Sequence, residues 1–157
     1  MNERCFVGWL GRAPHPCTKG VFDDFPRFLN TSETGANLYR LNERHKALIQ
    51  SNAESIRGKR ILDIASHDGR WSFAAHKAGA EYVRGIEARS HLTNLAYENI
   101  QHYGVPRTQV EFAQGDALKK LDGLDSRSFD VVFCFGFLYH TADQMLLLRK
   151  IARLQSN

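Results

Sequence analysis

Two acidic residues follow apolar runs in positions that suit hydrogen bonding to a sugar. Asp63 opens the turn that continues as A65-S66-H67-D68-G69, and Glu87 ends the next apolar run, Y82-V83-R84-G85-I86. A carboxylate accepts hydrogen bonds from two neighbouring hydroxyl groups, as a ribose presents them. Gly69 begins a helical pattern, and the free N–H groups of a helix start attract a carboxylate or phosphate. These residues indicate a pocket for a nucleoside with a charged tail.

Two further apolar runs end in residues that can carry chemistry. Asp116, within G115-D116-A117, can accept a hydrogen bond from an adenine amino group. The fourth run, F129–F135, leads into G136-F137-L138-Y139-H140. Tyr139 and His140 would lie near the reacting atoms, and we predict them as catalytic residues. His140 suits the role of a base where the acceptor must lose a proton.

The pattern from residue 58 to 157 predicts strands that alternate with helices. The predicted strands are 60–65, 82–87, 109–114 and 129–135, and the predicted helices are 69–78, 90–103 and 141–154. The last helix is expected to turn four residues inward: Met145, Leu148, Ile151 and Ala152. Short connections imply an α/β fold with a doubly wound parallel sheet. Because the carboxyl ends of parallel strands share one edge, the four polar strand ends should meet there.

Residues 1–57 precede this pattern, and we predict an irregular arm followed by a helix. The arm carries aromatic residues, which argue against disorder because such side chains need burial: Phe6, Trp9, Phe22, Phe25 and Phe28. Apolar positions recur at helical spacing over 37–57, and Gly58 ends this predicted helix. We therefore predict an arm and cap helix over 1–57 that cover the cleft of a cofactor-binding domain over 58–157.

Two adenosine cofactors compete for the first loop. A dinucleotide needs glycines where the backbone approaches its pyrophosphate, but Ala65 and His67 stand there, and Asp68 would repel the phosphates. S-adenosylmethionine has no phosphate, and its tail carries an ammonium and a sulfonium that suit Asp63 and Asp68. The loop therefore favours S-adenosylmethionine, and a dinucleotide-dependent enzyme is the disfavoured alternative.

Residues 60–140 resemble the first four strands of a class I S-adenosylmethionine-dependent methyltransferase, a Rossmann-like family. Four segments carry the resemblance: L62-D63-I64-A65-S66-H67-D68-G69, G85-I86-E87, G115-D116-A117 and F129-D130-V131-V132-F133-C134-F135. The segment G136-F137-L138-Y139-H140 is similar to members that act on the tRNA wobble uridine and on small metabolites. The chain differs from the family pattern at the first two loop glycines, which Ala65 and His67 replace.

The resemblance implies a role for each strand end. Asp63 and Gly69 would hold the methionine part, Glu87 the ribose, and Asp116 with Ala117 the adenine edge. The full implied cofactor set adds the remaining loop and strand-end positions Ala65, Ser66, His67, Ala88 and Gly136. A hydrolase triad of Ser66, His67 and Asp68 is disfavoured, because consecutive residues on a tight turn point apart.

The resemblance implies that the chain lacks the C-terminal part of the family fold, which normally completes the acceptor pocket. Four strands in the family order 3-2-1-4 leave residues 129–135 as an apolar edge, and such an edge invites pairing. We expect a fragment of a longer chain, an edge covered by the arm, or self-association through this edge. The leading hypothesis is a methyltransferase, and the alternative is a truncated, non-catalytic module that binds S-adenosylmethionine or S-adenosylhomocysteine.

Composition narrows the remaining choices. The formal net charge is +4, with positive residues spread along the chain, which favours a solvated surface over a nucleic-acid patch. Cys5, Cys17 and Cys134 lie far apart, and together with the absence of a signal-like or membrane-spanning segment they predict a cytoplasmic protein without a disulfide framework. His15 and Cys17 alone are weak evidence for metal, so no metal site is predicted. The methyl acceptor, a small molecule or an RNA, is not determined.

Overall fold

A parallel sheet forms the centre of the molecule. A computed structural model of the chain describes residues 19–33 and 37–156. Within these residues, four parallel strands lie in the order β3-β2-β1-β4. They are β1 (Arg60–Ile64), β2 (Tyr82–Glu87), β3 (Val110–Gln114) and β4 (Val131–Phe133). This order confirms the predicted Rossmann-like architecture, with all four carboxyl ends at one edge.

Helices cover both faces of the sheet. The α-helices of the described residues are α1 (Arg27–Asn30), α2 (Leu38–Leu48), α3 (Ala53–Ile56), α4 (Arg70–Lys77), α5 (Ser90–His102), α6 (Ala117–Asp122) and α7 (Gln144–Leu154). Single 3₁₀ turns lie at Val21–Asp23, Gln50–Asn52 and Leu138–His140. The sequence pattern does not predict α6, because six residues are too few to show a helical period.

The predicted helix over 37–57 is interrupted after α2. The side-chain amide of Asn52 donates to the carbonyl oxygens of Ala47 and Leu48 at 3.2 and 3.1 Å. These bonds satisfy acceptors that a continuing α-helix would use, so the chain passes through a 3₁₀ turn into α3.

The fourth strand is shorter than its apolar sequence predicts. Phe129 forms only an isolated bridge with Gln155, and Gly136 leaves the extended region with a φ of 114°. In the described part of the chain, β4 has β1 on one side and no strand on the other. The apolar edge is therefore present, while self-association through it stays a prediction.

The buried face of α7 differs from the predicted one. Leu147 and Leu154 are buried and Ile151 is half-buried, whereas Met145 and Leu148 are exposed. Ala152 is exposed as well, so of the residues predicted to face inward only Ile151 does so. Residues 145–148 are all apolar and permit two helical faces. The guanidinium of Arg153 selects one of them by donating to the carbonyls of Leu121 and Leu124 at 2.7 and 2.9 Å.

The described part of the arm packs on the helices of one sheet face. Phe22 meets Trp71 edge-on at 5.9 Å between ring centroids, and Phe25 meets Phe73 at 4.7 Å. Phe28 is fully buried in the same cluster. The predicted burial is confirmed for Phe22 and Phe28, and Phe25 is half-buried. Five other residues singled out in the sequence lie outside the described residues: Cys5, Phe6, Trp9, His15 and Cys17. The arm, α2 and α4 share this core. The predicted boundary at residue 57, between the arm with its cap helix and the cofactor-binding domain, stays a prediction.

The described ranges, 19–33 and 37–156, were also searched for two other features. No helix there is long and apolar enough to cross a membrane. Nor does any group of His, Cys, Asp and Glu side chains there have an arrangement that could hold a metal ion.

Candidate functional site

The loop after β1 keeps a glycine-type backbone at three alternating positions. Ala65, His67 and Gly69 have φ angles of 58°, 55° and 79°. Non-glycine residues rarely adopt this left-handed region, and each costs about 1–2 kcal/mol there. The two residues that replace the family's glycines therefore adopt the conformation that glycine would favour. The departure from the family pattern therefore changes the side chains of the loop but not the path of its backbone.

Close packing beneath the loop requires two glycines. A Cβ on Gly69 would lie 2.7 Å from Cζ of Phe112, and one on Gly85 would lie 2.4 Å from Cδ1 of the same ring. The hydroxyl of Ser66 faces Gly85 and is buried without a hydrogen-bond partner among the described residues. The backbone of Ser66 is engaged as well, since its N–H donates to the Ile86 carbonyl at 3.0 Å and its carbonyl accepts from the Gly69 N–H at 2.9 Å. The cofactor contact of Ser66 stays a prediction.

Asp63 is buried at the carboxyl end of β1. Its Oδ2 accepts a hydrogen bond from the Ser72 hydroxyl at 2.6 Å, and its side chain is almost completely enclosed. Burial raises the pKa of Asp63 to about 7, and the nearby carboxylate of Glu87 adds to the rise. The site thus holds an acid that a cationic ligand group would drive into its charged form.

Glu87 turns its buried carboxylate toward the first loop. Oε2 accepts a hydrogen bond from the backbone N–H of His67 at 3.0 Å. Oε1 accepts from the backbone N–H and the Nε of Arg89 at 3.1 and 3.0 Å. The carboxylate joins the ends of β1 and β2, and Arg89 occupies acceptor positions that a ribose would otherwise use.

The predicted role of Asp68 is wrong. Its carboxylate forms a bidentate pair with Nε and Nη2 of Arg70, each at 2.7 Å, and it is fully buried. Burial alone would raise the pKa of Asp68, but the neighbouring His67 ring and the Arg70 guanidinium outweigh it and lower this pKa. A carboxylate neutralised in this way neither holds a cationic tail nor repels a pyrophosphate.

Asp68 instead anchors the N-terminal arm. The hydroxyl of Thr31 donates to its Oδ2 at 2.6 Å. The side-chain amide of Asn99 on α5 donates to the Asp68 carbonyl at 2.9 Å and to the Thr31 hydroxyl at 3.2 Å. The arm is thereby fixed directly beside the loop after β1, residues 65–69, which we call the cofactor loop.

Glu33, two residues further along the arm, lies over the ends of β1 and β2. Its carboxylate is 2.7 Å from Nη1 of Arg89, 2.5 Å from Nε2 of His91 and 3.8 Å from Nε2 of His67. The hydrogen bond with His91 lowers the pKa of Glu33, and the charge of Arg89 contributes. Arg89 thus bridges Glu33 and Glu87, so that the arm covers the edge where the cofactor is predicted to bind.

The third strand end is set up by helix capping. Oδ1 of Asp116 accepts a hydrogen bond from the backbone N–H of Lys119 at 3.0 Å, and Ala117 is buried at the start of α6. Ala88 is exposed, and its carbonyl accepts from the side-chain amide of Gln114 at 2.8 Å. Asp116 remains exposed at this edge, so its second oxygen is accessible to a ligand.

The fourth strand end is open by comparison. Tyr139 is 73% exposed, and its ring lies against that of His140 with centroids 4.3 Å apart. A Cβ on Gly136 would lie 3.4 Å from the Tyr139 hydroxyl, so this tyrosine reaches back over the strand end. Both predicted catalytic residues therefore stand at the carboxyl edge, with their side chains outward.

Sequence reasoning does not identify the residues that close this site. Arg89 carries a signal, because it lies two residues beyond the predicted ribose acid. No sequence signal marks Thr31 and Glu33. They lie in an arm without a periodic pattern, and their partners, Asp68 and Arg89, are far along the chain.

Comparisons with known proteins agree with this geometry. Residues 61–156 match a family described as a methyltransferase domain. A ubiquinone biosynthesis O-methyltransferase of Proteus mirabilis is 27% identical over 117 residues, which cover 74% of this chain and 46% of that protein. A tRNA U34 carboxymethyltransferase of Azotobacter vinelandii is 33% identical over 103 residues, covering 62% and 30%.

A solved structure shares the fold. The YcgJ protein of Bacillus subtilis aligns with a TM-score of 0.64 and 26% identity over 73% of this chain and 47% of that one. The chain spans less than half the length of these curated relatives.

Proposed function

The chain belongs to the methyltransferase-domain family, and we propose that it binds S-adenosylmethionine at the carboxyl edge of its sheet and transfers a methyl group to an acceptor. The family match agrees with the methyltransferase family and the cofactor class that the four strand ends predict. The activity and acceptor of the whole protein belong to this proposal, because the chain covers only part of its relatives.

The residues present fit this cofactor. Ala65 and His67 keep the loop backbone in the left-handed form that glycines favour, so the loop follows the same backbone path toward the start of α4. Asp63 would pair with the ammonium, and the positive end of α4 would face the carboxylate. In the structure the Gly69 N–H donates to the Ser66 carbonyl at 2.9 Å. Glu87 would take the ribose hydroxyls once the half-exposed Arg89 turns away. The bound cofactor supplies a methyl group activated by its sulfonium.

Two parts of the chain would then serve the transfer itself. Methyl transfer is an in-line displacement, so alignment of the acceptor and exclusion of water supply much of the rate. Trp71 and Phe135, edge-on at 6.1 Å, form an apolar wall beside the fourth strand end. Tyr139 would orient the acceptor, and His140 would accept a proton where the acceptor atom carries one.

The structure removes one of the two sequence arguments against a dinucleotide cofactor. Repulsion by Asp68 does not operate, because Arg70 neutralises that carboxylate. The side chains of Ala65 and His67 still occupy positions where a pyrophosphate needs bare backbone. The choice of S-adenosylmethionine over a dinucleotide therefore rests mainly on membership of the methyltransferase-domain family.

The observation that carries the proposal is the buried Glu87 carboxylate, held at the second strand end and turned to the loop. Isothermal calorimetry with S-adenosylmethionine, S-adenosylhomocysteine and NAD tests it. We expect the first two to bind, and Glu87→Ala to weaken binding by about 1–3 kcal/mol through loss of charge-assisted hydrogen bonds. Binding of NAD alone would contradict the proposal, and an unchanged affinity would show that Glu87 does not hold the ribose.

A non-catalytic binding module is the second candidate. One observation favours it: within the described residues, no hydrogen bond orients the side chain of His140, which a well-placed base needs. Incubation with radiolabelled S-adenosylmethionine and separate RNA and small-molecule extracts distinguishes the two. Label transfer that wild type performs and His140→Ala lacks supports the enzyme, whereas tight cofactor binding without transfer supports the module. The cysteine pattern is our reason to propose the cytoplasm as its location.

A further inference from the structure

Two carboxylates share one arginine at the edge where the cofactor is predicted to bind. The Arg89 guanidinium donates through Nε to Oε1 of Glu87 at 3.0 Å and through Nη1 to Oε2 of Glu33 at 2.7 Å. Glu87 is buried at the end of β2, whereas the side chains of Arg89 and Glu33 are 49% and 39% exposed. One guanidinium thus joins the strand-end carboxylate to the arm.

The contact between Arg89 and Glu87 competes with a ribose. A ribose presents two neighbouring hydroxyls, and it is held best when both oxygens of a carboxylate can accept from them. Oε1 of Glu87 already accepts from the backbone N–H of Arg89 as well as from its Nε. Entry of the ribose therefore requires the Arg89 side chain to leave Glu87, while the backbone contact stays.

Glu33 offers the displaced guanidinium a partner. Its contact uses Nη1, and the contact of Glu87 uses Nε, so one bond breaks without the other. A guanidinium that loses a carboxylate without keeping another loses charge-assisted hydrogen bonds, and this loss would oppose cofactor binding. Glu33 and Glu87 are the two carboxylates paired with Arg89 in the described part of the chain. Without the charge of Glu33, the ribose would compete with Arg89 held by Glu87 alone.

Two contacts hold Glu33 in position, and neither involves Arg89. The Glu33 carboxylate lies 2.5 Å from Nε2 of His91 on α5. Thr31, two residues earlier, donates to the buried Asp68 of the cofactor loop at 2.6 Å. The hydrogen bond with His91 lowers the pKa of Glu33, so this carboxylate is charged at neutral pH. Glu33 is therefore a fixed negative group beside the path of the guanidinium.

We propose that Glu33 is a positioning residue for cofactor binding, which retains the Arg89 guanidinium when the ribose takes its place on Glu87. Glu33 acts through Arg89 and does not itself contact the ribose. This proposal rests on the proposed function and adds to it a residue of the arm, outside the matched family region 61–156. The affinity for the cofactor then depends on the arm through a single charge.

Isothermal calorimetry of the full chain with S-adenosylhomocysteine measures this role. Glu33→Gln keeps the size of the side chain and removes its charge, so Arg89 should stay on Glu87. The affinity should fall roughly fivefold, the upper range for one exposed ion pair. The midpoint of urea unfolding should stay almost unchanged, because exposed ion pairs contribute little to stability.

Glu98→Gln is the matched control. Glu98 also ties the arm to α5, since its exposed carboxylate pairs with Nη2 of Arg27 at 2.9 Å, and no ion pair joins it to Arg89 within the described ranges. The same change of charge should leave the affinity within about 1.5-fold of wild type, because distant exposed charges are screened. Equal losses in the two variants would mean that Glu33 only fastens the arm, and would overturn the proposal.

A second background separates positioning from structure. Arg89→Met removes the competitor and should bind S-adenosylhomocysteine at least as tightly as wild type, because the Glu87 carboxylate is then open to the ribose. In this background Glu33→Gln should change the affinity by less than about 1.5-fold, since residues that act through one shared partner are not additive. A fivefold loss there would show that Glu33 acts independently of Arg89. Weaker binding by Arg89→Met than by wild type would show that the guanidinium itself holds the cofactor. Either result would overturn the proposal.

Failure of the proposed function would look different. If S-adenosylhomocysteine does not bind wild type, the proposed function is wrong and the role of Glu33 is wrong with it. If it binds wild type and Glu33→Gln equally well, only the role of Glu33 is wrong.

Discussion

The two sides of the site differ in how firmly the chain holds them. At the ends of β1 and β2, each acidic side chain has a partner: Asp63 has Ser72, Asp68 has Arg70, and Glu87 has Arg89. At the end of β4, Tyr139 and His140 contact each other and point outward. The proposed cofactor side is thus held in place by contacts within the chain, whereas the side chains of the proposed acceptor side are exposed.

The arm accounts for much of this difference. Thr31 and Glu33 bind the cofactor loop and its neighbours, and the aromatic residues before them bury the arm against α4. The arm places no described charged residue over β4. Substitutions on the cofactor side should therefore cost stability, and those on the acceptor side should leave it unchanged.

The largest loss should follow Asp68→Asn. It leaves the mostly buried Arg70 guanidinium without its partner and weakens the tie to Thr31. Loss of one member of a buried pair costs about 3–5 kcal/mol. Tyr139→Ala, on the exposed side, should stay within about 0.5 kcal/mol of wild type. Urea unfolding monitored by circular dichroism measures both, and equal effects would remove the contrast between the two sides.

A second large loss should follow Gly69→Ala. The new Cβ would strain a left-handed backbone and collide with the buried Phe112 ring, so we expect about 2–4 kcal/mol of destabilisation. Gly104→Ala is the control, because Gly104 has a φ of +69° and nothing within 4 Å of a Cβ. It should cost about 0.5–1 kcal/mol, which is the left-handed strain less the gain from a stiffer unfolded chain. If both variants lose the same stability, close packing under the loop is not required.

Cofactor affinity should rise with pH through the pKa of Asp63. With a pKa of about 7, this carboxyl holds a proton in the free protein at lower pH and must release it to pair with an ammonium. Below about pH 7 the affinity should therefore fall by up to about tenfold per pH unit. Calorimetry of S-adenosylmethionine in buffers of different ionisation enthalpy would detect the released proton.

Asp63→Asn provides the control for this pH dependence, since an amide does not titrate. Its affinity should be weaker at pH 8 and flat across the same range. A wild-type affinity that is equally flat would place the ammonium elsewhere.

The smallest effect should be a gain. Ala65→Gly relieves about 1–2 kcal/mol of left-handed strain and loses about 0.4–1 kcal/mol to the freer unfolded chain. The net stabilisation should be about 0.5–1 kcal/mol in urea unfolding. Ala88→Gly, outside the left-handed region, should destabilise by about 0.4–1 kcal/mol. Destabilisation by both would mean that Ala65 is not strained.

The sequence predicts the strands and their common edge well, because both follow from the spacing of apolar residues and from the parallel arrangement of the strands. Apolar runs followed by Asp63, Glu87, Asp116 and Gly136 define four parallel strands, and a parallel sheet must bring their carboxyl ends together. The roles of individual side chains follow less directly. Asp68 looks like a ligand group in sequence, yet its neighbour Arg70 and the remote Thr31 take up its carboxylate.

Local sequence patterns also fail to predict which face of a helix is buried when two faces are nearly equally apolar. The apolar run at 145–148 permits two inward faces for α7, and the bonds from Arg153 to the carbonyls of Leu121 and Leu124 decide between them. The contact of Glu33 with Arg89 depends on the path of an aperiodic arm, which no spacing rule predicts.

A crystal structure of the full chain with S-adenosylhomocysteine tests the central claim most directly. We expect the ribose hydroxyls on Glu87, the adenine beside Asp116, and the Arg89 guanidinium displaced from Glu87. A ligand bound away from these strand ends, with Arg89 still paired to Glu87, would contradict the proposed cofactor site.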